Sequence, residues 1–278
     1  MLLTAVALLA FASNSLLCRM ALGAKLIDPA SFTSVRVLAG AVTLGLIMLP
    51  AWRANGRAKG DWRAVLMLFT YMVFFSFAYL SLSAGTGALI LFGAVQLTMF
   101  IVALRSGEHF SGWSWLGLLM AILGLVYLVS PGLRAPDLLG AVLMAIAGIA
   151  WGFYSLLGRG LANPMEATAS NFIFAIPMVL AVSLLFMGQF HSTAAGLVLA
   201  VASGAIASGL GYVIWYAALK GLTMTRAATV QLSVPVIAAI GGVLLLAEQI
   251  TPRLVLASVA TLGGVAIVLL QRARRPTA

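Results

Sequence analysis

The sequence predicts an all-α integral membrane protein, with ten transmembrane helices arranged as two inverted five-helix repeats. The 278 residues are 63% hydrophobic and 8% charged, whereas roughly a quarter of the residues in a soluble domain are charged. Such a chain could not cover its own surface in water. Ten apolar stretches and a set of residues that recur 140 positions apart supply the other two observations.

The helices are delimited by charged residues, proline and glycine. A bilayer-spanning helix needs roughly 20 apolar residues. The predicted helices are residues 2–21, 31–50, 63–82, 86–104, 113–130, 137–157, 167–187, 194–218, 225–246 and 253–270. Only residues 51–62, AWRANGRAKGDW, have the length and polarity of a loop. Because the N-terminus lacks the basic start of a signal peptide, we expect residues 2–21 to be retained as a helix.

The distribution of Lys and Arg predicts the orientation, since cytoplasmic loops carry the excess of positive charge. With the N-terminus inside, four basic residues lie at outer helix ends: Arg19, Lys25, Arg134 and Arg253. Eleven lie at inner ends: Arg53, Arg57, Lys59, Arg63, Arg105, Arg159, Lys220, Arg226, Arg272, Arg274 and Arg275. Both termini are therefore predicted to be cytoplasmic. The net charge of +10 reflects this topology rather than a nucleic-acid-binding surface.

Residues recur between the two halves of the chain. Ser-Leu-Leu-x-Arg occurs at residues 15–19 and 155–159, and Val-Gln-Leu at residues 95–97 and 230–232. Single residues recur at the offset of 140: Glu108 with Glu248, and Gly124 with Gly264. The predicted units are residues 1–130, a second repeat at 137–270, and a basic cytoplasmic tail at 271–278. Because five is odd, the second repeat enters the membrane from the opposite side. Duplication could simply have built a stable bundle, but inverted repeats are typical of secondary transporters.

The run from Val230 to Thr251, VQLSVPVIAAIGGVLLLAEQIT, resembles helix 9 of the drug/metabolite transporter superfamily in its ten-helix bacterial exporter branch. Pro235, Ala238, Gly242 and Glu248 carry this resemblance, together with Arg36 early in helix 2. The chain is most similar in plan to inner-membrane aromatic amino acid exporters. That resemblance implies a bacterial inner-membrane protein in which helices 1, 3, 4, 6, 8 and 9 surround a cavity. Helices 2 and 7 would lie outside, and helices 5 and 10 at the rear.

The titratable residues limit the chemistry. The carboxylates Asp28, Asp61, Glu108, Asp137, Glu166 and Glu248 all map to loops or helix ends. The single Cys18 and the distant His109 and His191 suggest no metal site, no cofactor and no catalytic residues, so an enzyme is not expected. Arg36 is expected to snorkel to the outer surface as an anchor, which would leave the interior free of fixed charge. Facilitative, uncoupled alternating access is the simplest mechanism for such an interior.

Neutral polar and aromatic side chains near mid-membrane are the candidates for substrate binding: Asn14, Phe75, Tyr79, Gln96, Met99, Trp151, Ser155, Trp215 and Gln231. An apolar pocket with few polar anchors suits aromatic or other apolar amino acids. Aromatic residues also form cores and interfacial belts, and Asn or Gln can join helices for about 0.6–2 kcal/mol. Pro235 is a candidate hinge, although proline also produces static kinks.

Two other transport functions stay open at this point. One is a multidrug or cation exporter coupled to a proton gradient, which the absence of a buried acid disfavours. The other is a channel-like pore, since inverted repeats also occur in channels; a non-transporting scaffold is the remaining alternative. A small-molecule substrate and the lipid bilayer are the predicted partners. The sequence leaves a monomer and a homodimer equally open.

Overall fold

The structure is a computed structural model that describes residues 2–56, 60–132, 135–159, 161–222 and 224–273, and its elements are helical. We number ten helices in chain order. The first five are α1 (Leu2–Gly23), α2 (Pro29–Asn55), α3 (Trp62–Ala78), α4 (Ala84–Arg105) and α5 (Gly112–Val129). The others are α6 (Leu138–Leu157), α7 (Pro164–Leu185), α8 (Ala194–Leu219), α9 (Met224–Gln231 and Ser233–Leu246) and α10 (Pro252–Ala273).

The membrane prediction is confirmed, because nine helices among the described residues are long and apolar enough to cross a bilayer. The remaining helix, α3, is apolar but shorter. Eight helices begin beside a side chain that accepts a hydrogen bond from a backbone N–H of the first turn, as N-caps do. These caps are Asp28, Asp61, Ser83, Ser111, Asp137, Asn163, Thr193 and Thr251.

Two predicted boundaries were wrong. Helix α2 continues to Asn55, well into the stretch predicted as a loop. Helix α3 ends at Ala78 instead of residue 82. The backbone N–H of Tyr79 is shared between the carbonyls of Phe75 and Ser76, which tightens the last turn. Ser83 then caps α4, so both helices near this turn are fixed by local hydrogen bonds.

Two helices contain irregularities that the sequence analysis did not predict. Helix α8 has π-helical geometry over Ala202–Leu210, a conformation that is often found at functional sites. Helix α9 breaks at Leu232, three residues before Pro235. Proline cannot donate to the carbonyl four residues earlier and its ring collides with that carbonyl, here the carbonyl of Gln231. The predicted effect of Pro235 on helix geometry is therefore seen as this break.

The contacts between helices recur when each helix is replaced by its counterpart in the other half of the chain. Helix α3 packs on α6, and its counterpart α8 packs on α1; α4 packs on α6, and α9 on α1. The pairs α2–α7, α4–α9 and α5–α10 each map onto themselves under this exchange. The pattern is the one expected of two similar halves around a common axis.

The crossing of α5 and α10 repeats this relation at the level of single residues. Gly124 faces Thr261, and Gly264 faces Ala121, so that each contact is the other displaced by 140 positions. A Cβ atom on Gly264 would lie 2.7 Å from the backbone nitrogen of Ala121 and closer still to the carbonyl oxygen of Gly117. Small residues are used in this way where membrane helices approach closely.

Substitution Gly264→Ala is expected to lower the melting temperature of the detergent-solubilised protein. The added methyl group would push α5 from α10, and overpacking of this kind costs about 1–3 kcal/mol. Gly263→Ala is the matched control, because nothing lies within 4 Å of a Cβ atom at that position. Both substitutions replace glycine with alanine inside a helix and therefore raise the helix propensity by the same amount. Equal melting temperatures for the two variants would contradict the close crossing.

The helix ends gather into two groups, which we call the terminus side and the far side of the bundle. The far side contains the α1–α2, α3–α4, α5–α6, α7–α8 and α9–α10 connections. Neighbouring connections on this side are linked by hydrogen bonds. Arg253 donates to the carbonyls of Leu128 and Ser130, and Ser81 donates to Asp137. The terminus side contains the other connections, the start of α1 and the end of α10. Arg57, Lys59, Arg134 and residues 274–278 of the predicted tail lie outside the described residues.

Candidate functional site

A cavity of about 590 Å³ lies inside the bundle, within the range of about 300–1,000 Å³ that is usual for small-molecule sites. Its lining extends to Arg159 and Leu161, which are exposed on the terminus side. The structure brings together on this lining most of the candidate residues from the sequence: Asn14, Phe75, Gln96, Met99, Trp151, Ser155, Trp215 and Gln231.

Tyr79 is the candidate that does not line the cavity. Its side chain is fully buried, and its hydroxyl donates to the carbonyl oxygen of Ala84 at 3.3 Å. The ring packs against Gly87, where a Cβ atom would lie 2.6 Å from it. Its selection for the cavity was wrong because α3 ends one residue earlier and directs Tyr79 into the packing against α4.

Aromatic rings form one wall of the cavity, with Trp151 at their centre. Its ring stacks on Tyr154 and Tyr212, with centroids 5.3 and 5.7 Å apart, and contacts Tyr71 at 4.8 Å. Phe11 packs edge-on against Trp215 at 5.6 Å. Offset and tilted arrangements of this kind stabilise aromatic clusters, so the wall is held in shape by contacts among its own members.

Several lining residues were missed by the sequence analysis. Tyr71 lies four residues before Phe75, on the same face of α3, and this spacing could have identified it. Thr168 and Asn171 come from α7, which the family resemblance placed outside the cavity. The Thr168 hydroxyl oxygen accepts a hydrogen bond from the Tyr154 hydroxyl (3.2 Å) and is hydrogen-bonded to the Tyr216 hydroxyl (2.8 Å). The first half of α7 therefore belongs to the wall, whereas α2 contributes no residue to the described lining.

Asn14 both joins helices and lines the cavity. Its Oδ1 accepts hydrogen bonds from Ser203 at 2.8 Å and Ser208 at 3.4 Å. Both serines lie in the π-helical part of α8. Ser155, by contrast, donates its hydroxyl to the carbonyl of Trp151 in its own helix at 2.7 Å. Of these two candidates, Asn14 therefore has the side chain that links α1 to α8.

The prediction that Arg36 snorkels to the surface was wrong. The side chain is completely buried, and its guanidinium lies over the rings of Phe75 and Tyr71, 4.9 and 5.5 Å from their centroids. Helix α2 is packed against α7 and α8 at this level, which closes the route to the surface. The bundle interior consequently contains a fixed positive charge.

The far side of the cavity is closed by a cluster at the helix ends. Glu248 forms an ion pair with Arg19 through Oε1 and Nε at 3.2 Å. Both oxygens of Glu248 also accept from the backbone N–H of Ala84, at 2.9 and 3.1 Å, which is the first N–H of α4. Arg19 further donates to the carbonyls of Tyr79 and Leu80. This cluster ties α1, α3, α4 and α9 together.

Each of the six carboxylates, all within the described ranges, lies at a helix end. Asp28, Asp61 and Asp137 are N-caps, and Glu166 lies in the first turn of α7. Glu108 and Glu248 follow the last residues of α4 and α9. The positions expected from the sequence therefore agree with the structure for the whole set.

Comparison with known proteins gives a consistent result. Residues 138–270 match the model of the EamA-like transporter family. An uncharacterized protein of Pseudomonas aeruginosa is 50% identical over 99% of this chain and 96% of its own length. An uncharacterized transporter of Archaeoglobus fulgidus is 26% identical over 95% of each chain. The uncharacterized transporter YoaV of Bacillus subtilis is 22% identical over 86% of each chain. A solved crystal structure with 20% identity superposes with a TM-score of 0.70, covering 99% of this chain and 98% of the other, and shows the same fold.

Proposed function

Since this chain belongs to the EamA-like transporter family of membrane proteins, we propose that it exports small metabolites from bacteria by alternating access without ion coupling. Amino acids with aromatic or other apolar side chains are the proposed substrates. The single observation that carries this proposal is a ring-lined cavity that reaches one side of the bundle and is closed by an ion-paired cluster at the other. An access route from one side at a time is what a carrier requires.

The two halves supply the second conformation if they are inverted repeats, as we propose. At the offset of 140 residues, the counterparts of Arg19, Ala84 and Glu248 are Arg159, Met224 and Glu108. Met224 is the first residue of α9, as Ala84 is of α4. Arg159 is exposed at the cavity mouth. In the opposite conformation, the counterpart cluster would close the terminus side while the far side opens, as in other carriers built from inverted repeats.

Uncoupled transport is supported by the positions of the carboxylates. Proton-driven carriers use titratable residues inside the membrane as relays. Here the six carboxylates lie at helix ends, and Asp61, which contributes to the cavity lining, is the N-cap of α3. We therefore expect the substrate gradient alone to set the direction of net flux.

The test is transport by the purified protein in proteoliposomes, with labelled phenylalanine, tryptophan and leucine as probes. We expect saturable uptake and transient accumulation in counterflow, because a carrier exchanges substrate while an open pore does not. An imposed proton gradient should leave the initial rate unchanged. Acceleration by that gradient would remove the uncoupled mechanism, and flux without saturation or counterflow would indicate a pore.

The same assay tests Pro235 as a hinge. The broken turn before Pro235 lies beside the cavity residue Gln231, so bending there would move the terminus-side part of α9 relative to the rest. Replacing Pro235 with Ala restores a backbone donor and is expected to slow transport. Undiminished flux would assign the break to static packing.

A further inference from the structure

Arg36 places a permanent positive charge directly behind the cavity wall. A guanidinium remains protonated in proteins, and this one is fully buried. Among the described residues its hydrogen-bond partners are hydroxyl groups and no carboxylate pairs with it. Its Nη1 is buried and has no hydrogen-bond partner within the described ranges. A buried charge left without an opposite charge is costly, so this position calls for an anion that the described chain does not supply.

The first connection from Arg36 to the cavity passes through Tyr71. Nη2 of Arg36 donates to the Tyr71 hydroxyl oxygen at 3.1 Å, and Tyr71 is part of the lining. Because its oxygen accepts from the guanidinium, the tyrosine has its own O–H proton left to donate. No acceptor for that proton is present among the described residues. A hydroxyl that accepts from a cation is also a stronger donor, since hydrogen bonds in a chain polarise one another.

The second connection passes through Ser208 to Asn14. Nε and Nη2 of Arg36 lie 3.4 Å from the Ser208 hydroxyl oxygen, and that hydroxyl donates to Oδ1 of Asn14. Oδ1 of Asn14 already accepts hydrogen bonds from Ser208 and Ser203. These two bonds fix the orientation of the amide, and Nδ2 is the group of this side chain that is still available for hydrogen bonding. Nδ2 has two protons and no acceptor in the described part of the chain, and Asn14 lines the cavity.

Both chains of hydrogen bonds begin at the same guanidinium and donate in the same direction, toward the cavity. They reach it on two different helices, α3 and α1. We propose that the cavity recognises its substrate by an anionic group, a carboxylate or a group of similar charge, which accepts from Tyr71 and Asn14 and compensates the charge of Arg36. This inference rests on the proposed function and specifies its substrate class.

The ring-lined wall then receives the apolar part of the same molecule, beside Trp151 and Trp215. A cation would meet the uncompensated field of Arg36, which is weakly screened inside the bundle. A neutral molecule could accept the hydrogen bonds but would leave the charge uncompensated. The expected order of affinity is therefore anion, then neutral isostere, then cation.

Three probes with one ring and different charges test this order: phenylacetate, phenylacetamide and phenethylamine. Binding to the purified full-length protein is measured at neutral pH by the change in tryptophan fluorescence, with thermal stabilisation as a second readout. We expect phenylacetate to bind at least tenfold more tightly than phenylacetamide. Substitution Arg36→Met should reduce phenylacetate affinity at least tenfold and remove most of the preference for the anion. Arg36→Lys, which retains the charge, should preserve a preference.

Arg253→Met is the matched control, because it removes a positive charge whose guanidinium binds backbone carbonyls on the far side. It should leave the order of the three probes unchanged. If Arg36→Met does not fold, Tyr71→Phe provides the test, since it keeps the ring and deletes only the hydroxyl donor. Equal binding of anion and amide to the wild type, no binding of any probe, or an unchanged preference in Tyr71→Phe would each overturn the inference.

Failure of this inference is distinguishable from failure of the proposed function. Saturable counterflow of substrates that carry no anionic group would leave the exporter in place and remove the anion site. Selective binding of phenylacetate without flux of any probe in proteoliposomes would keep the anion site and remove the exporter.

Discussion

Glu248→Gln is expected to open the far side of the bundle. The substitution removes the charge that pairs with Arg19 and weakens the bonds from the Ala84 N–H. A hydrogen bond to a charged group contributes about 1.5–3 kcal/mol. We therefore expect the ratio of far-open to far-closed molecules to rise roughly tenfold to a hundredfold, with a matching loss of transport because the far-closed state is depopulated.

Accessibility of a single thiol measures this shift. Cys18→Ser removes the native thiol, and Ser15→Cys places a new one of similar size on the cavity lining. In this background the thiol should react with a membrane-impermeant reagent applied from the terminus side. With Glu248→Gln added, it should also react from the far side.

Two controls separate the cluster from a general loss of stability. Arg19→Met should shift accessibility less than Glu248→Gln, because Glu248 retains both bonds from Ala84. Asp137→Asn changes a carboxylate on the same side that caps α6, and asparagine is an equally good cap, so accessibility should not change. An equal change in thiol accessibility in all three variants would mean that the cluster around Glu248 does not close the far side of the cavity.

Trp151→Ala is expected to reduce the rate of transport roughly tenfold or more, as truncation of a large aromatic anchor commonly does to binding. The substitution deletes three ring contacts, each contributing about 0.5–1.5 kcal/mol, and leaves Tyr71, Tyr154 and Tyr212 without their common neighbour.

Saturable uptake in proteoliposomes is the readout for this variant. Trp151→Phe keeps a ring and should retain a substantial part of the activity. Trp113→Ala is the matched control, since Trp113 is 63% exposed on α5, where lipid would surround it. Transport by Trp151→Ala at the wild-type rate would show that the wall does not contact the substrate.

The positions of the helices were predictable because the signals are local. Hydrophobic length and the capping residues fix where each helix begins, and the structure shifts most of these boundaries by only a few residues. The end of α3 was missed because it depends on how the turn at Tyr79 bonds to the preceding carbonyls. The π-helical part of α8 was missed because it depends on contacts with α1 and α2, which no local pattern encodes.

The same distinction applies to the candidate site. Neutral polar and aromatic residues in apolar helices were identifiable, since such residues tend to face an interior. The environment of Arg36 was not. Counted along α2, Arg36 is about 10 Å from the far-side end of its helix, close enough to snorkel if the helix faced lipid. Only the packing of α2 against α7 and α8 shows that its guanidinium points inward.

The π-helical stretch in α8 also determines the direction, around the helix axis, in which the side chains after it point. A π-bulge accommodates an additional residue within an otherwise α-helical segment, and one residue corresponds to a rotation of about 100° around the helix axis. Tyr212 and Trp215 lie immediately after this stretch, in the α-helical part that starts at Gly211. If the stretch relaxed to ordinary α-helical winding, both rings would turn away from Phe11 and Trp151 toward the neighbouring helices or the lipid. A local change of winding would thereby dismantle the aromatic wall without any substitution in the wall itself.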